Sequence, residues 1–341
     1  LSEIGDRLGV DVQYMVTPTA ICASIGPESD PKTYLQRSPP GRINLEKQTA
    51  LHHLICDVGA RRLTLEEAVE LLDSLREPLV PRKRLAAVAG FALAAAATAV
   101  FFDGGAGEVA AAGVIGLAIG ALGQLASLSP RLSIVLPGVA GLVAALIAGL
   151  SQTLVGPVFT VIPVLAGLII LIPSLNLTVA VNELAHAHLV AGTARLGGAL
   201  MAFLQIAFGV ALGNELVATL GLASGPQPAA PPLWTLGPAL VVGSIASTVL
   251  FKARTRDLPA IFLTMSLSFI CSRVGSNAFG PEVGVLLGAW VMGAVAHLVA
   301  RWRNHPSAVA ILPGILPLLP GGLGFRTFAA LAERDVLTGL Q

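Results

Sequence analysis

From Leu85 to Gly321 the chain is a nearly continuous series of apolar stretches. Each is about the twenty residues that an α-helix needs to cross a hydrocarbon core of ~30 Å. In hydrocarbon every backbone N–H and C=O must be paired within the protein, so a chain of this kind folds as a helical bundle. The composition agrees: 54% of residues are hydrophobic and 12% charged, too apolar for a soluble globular domain of this length. The predicted spans are 85–102, 109–128, 132–151, 155–173, 197–220, 233–251, 259–275, 283–300 and 307–321. Net charge is +1, which provides no basic field for nucleic acid.

Residues 1–84 have a different character, polar and of mixed charge. Val10–Gly26 is rich in β-branched residues and bends at Pro18, which predicts one or two strands. Asn44 is placed to cap a helix ending near Gly59. Thr64 with Glu67 forms a capping-box pattern ahead of an amphipathic run. We read 1–84 as a small cytoplasmic α+β domain, 85–223 as a first membrane repeat, 224–232 as an external linker and 233–341 as a second, incomplete repeat. Orientation follows from the basic residues. With Arg82, Lys83 and Arg84 on the cytoplasmic side, alternate loops place Arg131, Arg195, Lys252, Arg254, Arg256, Arg301 and Arg303 there too. The opposite loops hold only Arg273, Arg326 and Arg334.

The two membrane halves echo one another. Pro173 and Pro320 are 147 residues apart (320 − 173), and Leu171, Leu184, Ala185 and Gly192 find the same residue at that offset. About five spans per half is an odd number, so the second half would be inverted relative to the first, and inverted repeats are characteristic of transporters. Both halves also break a span. Pro173 interrupts the fourth, and Pro313, Pro317 and Pro320 with Gly321 and Gly322 interrupt the ninth. Proline removes a backbone donor and frees an upstream carbonyl. In a membrane such groups belong inside the bundle, where a substrate can meet them.

Beyond Pro173 the sequence becomes amphipathic. A helix over Leu175–Val190 gathers Asn176, Thr178, Asn182, Glu183 and His186 into one arc, with Leu177, Val181 and Leu184 on the other side. An ionisable residue at membrane depth is a functional candidate, as a proton carrier or as a partner for an ammonium group. The competing reading is an interfacial helix whose polar face meets water. Arg326, just past "PGGLG", is a candidate for a substrate carboxylate or a loop charge. Walker, GxSxG and HExxH patterns do not occur, so the reading is not an enzyme, and no cofactor or metal is expected. Cys22, Cys56 and Cys271 lie far apart and read as packed thiols.

The stretches "YMVTPTAICAS", "NLEK", "IPSLNLTVAVNELAHAHLVAGTARL" and "ILPGILPLLPGGLGFR", in this order behind a soluble domain, resemble the threonine/serine exporter family of bacterial inner-membrane transporters. The resemblance covers nearly the whole chain. It implies a secondary exporter of small amino acids, driven by the proton gradient or membrane potential, with substrate, protons and the lipid bilayer as partners and room for a homo-oligomer. It also implies a tenth span beyond Gln341. Split relatives are linked to dicarboxylate export, so that substrate class stays open, as do a channel and a membrane-anchored sensor.

Overall fold

The computed structural model describes Gly5 and residues 9–27, 29–37, 43–75, 82–222 and 224–318. Three strands, β1 (Val12–Thr17), β2 (Ala20–Ile25) and β3 (Lys32–Arg37), are followed by α1 (Leu45–Gly59) and α2 (Leu65–Ser74). Then come α3 (Arg82–Phe101), α4 (Ala106–Ala126), α5 (Pro130–Val155), α6 (Val161–Leu168), α7 (Ser174–Ala185) and α8 (Leu189–Thr219). The last described helices are α9 (Leu236–Leu250), α10 (Leu258–Phe279), α11 (Pro281–Arg303) and α12 (Ala308–Gly314), with a 3₁₀ turn at Leu316–Leu318. The chain divides into two units, Leu1–Leu79 with Leu175–Ala199, and Val80–Ser174 with Leu200–Gln341.

In the first unit the strands form one antiparallel sheet in the order β1-β2-β3. Thr17 pairs with Ala20 across the Pro18–Thr19 turn, and the Thr17 hydroxyl accepts from Ala20 N at 3.0 Å. The sequence reading had room for two strands; the structure adds β3, which pairs Lys32 with Ile25 and Arg37 with Ala20. Every residue of β3 is exposed, so it lacks the alternation that reveals a half-buried strand. Both predicted helices form. Asn44 Oδ1 accepts from Lys47 N at 3.1 Å. In α2, Glu67 N donates to Thr64 Oγ1 at 3.3 Å, and Thr64 N donates to Glu67 Oε2 at 2.9 Å, completing the box. That backbone donor, with the Thr64 hydroxyl, lowers the pKa of Glu67 below the ordinary 4.5.

The predicted helix over 175–190 is shorter than expected. It ends at Ala185, where His188 N donates to Glu183 O at 2.8 Å and Ala187 turns the chain at φ +62°. A new helix, α8, starts at Leu189 and runs for 31 residues. It is about 46 Å long, well beyond a ~30 Å core.

Seven helical segments among the described residues are long and apolar enough to span: α3, α4, α5, α8, α9 together with the 3₁₀ turn Leu233–Thr235 before it, α10 and α11. The fourth and ninth expected spans differ. Within 155–173 the α-helix before α7 is α6, of 8 residues, and among the described residues of 307–321 the α-helix is α12, of 7 residues. Each covers less than half of a bilayer core at 1.5 Å per residue. Gly156 at φ +92° followed by Pro157 stops one helix before α6, and Pro173 closes the break after it. Pro313 and Pro317 act likewise at α12.

Packing in this second unit repeats itself. α3 packs on α4, α4 on α5, and α6 on all three; α9 packs on α10, α10 on α11, and α12 on all three. The leading helices, α3 and α9, also pack on each other and run antiparallel. Gly90 abuts Val249 and Leu250, whereas Ala97 and Phe101 lie against Gly243. The α3–α4 turn therefore lies at the end of the unit where α10 finishes, and Asp103 there meets Arg273 of α10 at 2.7 Å. α5 and α8 run parallel in close contact, with Gly138 and Leu142 beside Gly209, and Ala145 beside Gly213. A Cβ on Gly209 would overlap the Gly138 carbonyl, the small-residue packing by which membrane helices associate. One core holds Ile115, Ile119, Ala144, Leu168 and Ile206. Another holds Phe101, Met265, Phe269, Ile169, Ile172 and Leu316.

Candidate functional site

The predicted site residues divide between the two units. In the first, Asn176, Thr178, Asn182 and His186 are exposed on α7 and just past its end. His186 Nδ1 lies 2.8 Å from the Asn182 carbonyl oxygen, which fixes the ring against the helix end. Val181, assigned to the apolar side, is 61% exposed. Glu183 is only 19% exposed because Arg195, nearly two turns into α8, covers it: Arg195 Nε donates to Oε1 at 2.9 Å and to Oε2 at 3.1 Å. The carboxylate thus carries a charge-assisted partner that spacing along α7 did not reveal. Gly192 lets the two helices meet, since a Cβ there would lie 2.7 Å from Leu184 Cγ and 3.0 Å from Ala180 O.

In the second unit Pro173 and Pro313 are buried, and Pro317 sits in the 3₁₀ turn. Pro320, Gly321, Gly322 and Arg326 lie outside the described residues. The two breaks approach one another: Ile169 and Ile172 from the first join Leu316 from the second in a single core with Phe101, Met265 and Phe269. The Phe101 and Phe269 rings stand 4.9 Å apart between them. The side chains that meet here are apolar.

The polar groups come from α10. Thr264 and Ser268 are fully buried, and neither hydroxyl, nor that of Ser266, has a hydrogen-bond partner among the described residues. The contrast with α9 is informative. There Ser244, Ser247 and Thr248 donate to the carbonyls of Leu240, Gly243 and Ser244 at 2.7, 2.7 and 2.8 Å, the ordinary satisfaction of a hydroxyl within a helix. Thr264 faces the end of α12, where a Cβ on Gly314 would lie 3.3 Å from its methyl group. Gly288 of α11 comes against Ser268, Ser272 and Leu318. A buried hydroxyl without a partner costs about 1–3 kcal/mol, so these two contribute no net stability through hydrogen bonds among the described residues.

The equivalent place in the first half is apolar. A Cβ on Gly167 of α6 would collide with Ile115, as one on Gly314 would press on Thr264. Ile115 and Ile119 stand one turn apart, as Thr264 and Ser268 do, and 149 residues separate each pair (264 − 115). Packing at this position therefore does not require hydroxyls. Sequence reading missed Thr264 and Ser268 because a threonine or serine inside a span ordinarily back-bonds to its own helix, and only tertiary packing shows otherwise. It also passed over Glu108 and Asp257, the two charged side chains that are buried among the described residues.

Comparison with known proteins adds a family. A family model described as "Putative threonine/serine exporter" matches residues 1–217, and one described as "Threonine/Serine exporter, ThrE" matches residues 239–341. A "Probable threonine/serine exporter" of Mycobacterium tuberculosis is 25% identical over 96% of this chain and 64% of its own length. "Pheromone-regulated membrane protein 10" is 26% identical in Candida albicans strain SC5314 and 24% in Zygosaccharomyces rouxii. These matches cover 97% and 98% of this chain, which spans only 31% and 34% of those two fungal proteins. No solved structure matches.

Proposed function

The chain belongs to the threonine/serine exporter family, and on that premise we propose that it is a secondary exporter of small amino acids such as threonine and serine. The proton gradient or membrane potential drives it, in a bacterial inner membrane with residues 1–84 cytoplasmic. Transport runs by alternating access between two inverted repeats. The repeats are supported by the matching packing of α3–α6 and α9–α12, by the antiparallel contact of α3 with α9, and by the starts of α6 and α12. Those starts are 147 residues apart (308 − 161), as are Pro173 and Pro320.

One observation carries the substrate reading: Thr264 and Ser268 present buried hydroxyls that have no hydrogen-bond partner among the described residues, beside the break at Gly314, where the first half has isoleucines. A hydroxylated amino acid offers donors and acceptors for such groups, and backbone freed by Pro313 and Pro317 supplies others. Glu183, bridged by Arg195, serves proton coupling, with His186 beside it. The test is uphill export in proteoliposomes. Threonine and serine are expected to accumulate against their gradients when a proton gradient or potential is imposed, and to exchange in counterflow. Flux only down the gradient makes the protein a channel. Counterflow with dicarboxylates alone moves the substrate to that class, and transport of neither leaves the sensor reading.

A further inference from the structure

Two buried carboxylates remain without a role. Glu108 is 4% exposed and Asp257 is 2% exposed. They occupy equivalent places. Glu108 sits in the first turn of α4, and Asp257 immediately precedes α10, the second helix of the other half. The 149 residues between them (257 − 108) are the spacing that also relates Ile115 to Thr264. A carboxylate at a helix start is favoured by the exposed N–H groups there, but burial without a further partner is costly.

Each finds that partner in the corresponding connector. Glu108 Oε1 accepts from Phe159 N at 2.9 Å, in the segment that leads into α6. Asp257 Oδ1 lies 3.4 Å from His305 Nδ1 and 3.8 Å from Arg303 Nη1, at the segment that leads into α12. Arg303 also donates to Arg256 O at 2.8 Å, tying the same two segments. The connectors share a design: a left-handed residue, Gly156 at φ +92° or Asn304 at φ +53°, followed within two residues by Pro157 or Pro306. Residues that take up unusual backbone angles at the ends of elements are where hinges form. Because α3 and α9 run antiparallel, the two contacts lie at opposite ends of the unit. The Asp103–Arg273 pair stands in the turn beside Glu108.

We propose that Glu108 and Asp257 are paired gating residues, each latching the entrance of one broken helix to the second helix of its own repeat at one end of the transport path. This rests on the alternating-access reading above. Releasing Glu108 from Phe159 frees α6 at the end of the α3–α4 turn. Releasing Asp257 from Arg303 and His305 frees α12 at the other end. The pair are positioning residues, acting through the half-helices.

The experiment reads which end is open without requiring transport. In protein carrying Cys22→Ser, Cys56→Ser and Cys271→Ser, an Ile170→Cys reporter lies in the first break. A membrane-impermeant maleimide is applied from each side of proteoliposomes of known orientation. Glu108→Ala is expected to raise labelling from the α3–α4 end about tenfold, the population shift that follows loss of one charge-assisted hydrogen bond. Asp257→Ala is expected to raise labelling from the opposite end by a similar factor. The double variant is expected to return the ratio toward the starting value, since opposite shifts cancel. Loosening of the fold would raise labelling from both sides in all three. Where an alanine variant does not insert, Glu108→Gln and Asp257→Asn are read instead, with smaller shifts in the same opposed directions. Shifts in one direction, or none, overturn the proposal. Opposed shifts in a protein that transports no amino acid leave the gates standing and remove the substrate reading.

Discussion

Thr264→Val separates function from stability. Valine keeps the branched shape of threonine and removes the hydroxyl, which is buried and without a partner among the described residues. An unsatisfied buried hydroxyl costs about 1–3 kcal/mol, and an apolar group of the same shape avoids that cost. Part of the gain is lost to imperfect packing against Gly314 and Met292, so a net stabilisation of about 1 kcal/mol is expected. For a unit of this size that raises an apparent Tm by roughly 2–4 °C. Transport moves the other way. If the hydroxyl bonds the substrate, its loss weakens half-saturation in threonine counterflow about 2- to 12-fold, the equivalent of one net hydrogen bond of about 0.5–1.5 kcal/mol. Ile115→Val is the control at the equivalent position. It removes one buried methyl group, costs about 0.5–1.5 kcal/mol, and leaves half-saturation unchanged. The assay is thermal unfolding in detergent beside counterflow on the same preparations. A Thr264→Val protein that is less stable and transports normally refutes the reasoning, because the hydroxyl then holds the fold together.

Other outcomes are equally specific. Glu183→Gln is expected to abolish gradient-driven export while leaving insertion intact; the amide keeps the size of the side chain and an oxygen that accepts from Arg195. Wild-type uphill export by this variant at pH 6 to 8 returns α7 to a wetted interfacial helix. Gly209→Val is expected to destabilise the protein by about 1–3 kcal/mol through forced separation of α5 and α8, read as a lower Tm. An unchanged Tm removes the close contact with Gly138. The pKa of Glu67 is lowered in the folded protein, so its contribution to α2 is complete above the ordinary 4.5 and is lost as pH falls through the lowered folded value. Hydrogen exchange in α2 is expected to quicken over that range in the full chain, and Glu67→Gln to remove that pH dependence. Persistence of the dependence in Glu67→Gln assigns it to another group.

Much of the architecture follows from sequence because its causes are local. A run of twenty apolar residues has no stable form in a bilayer other than a helix, so the seven long spans were legible from composition. Asn44 and the Thr64–Glu67 box announced two helix starts because a cap acts within three residues. The prolines at 173, 313 and 317 announced the breaks because a missing N–H is a property of the residue itself. What tertiary structure alone decided involves partners far apart in the chain. Arg195 covers Glu183 only after Ala187 turns the helix, and Phe159 reaches Glu108 across 51 residues. Asp257 reads as a loop charge until the end of α11 returns beside it. Thr264 and Ser268 read as ordinary helix hydroxyls, yet both are fully buried without a hydrogen-bond partner among the described residues, whereas Ile115 and Ile119 in the other half are simply core. Burial and pairing depend on which helices meet, and that is settled by packing among α3–α6 and α9–α12, where no single stretch of sequence carries the information.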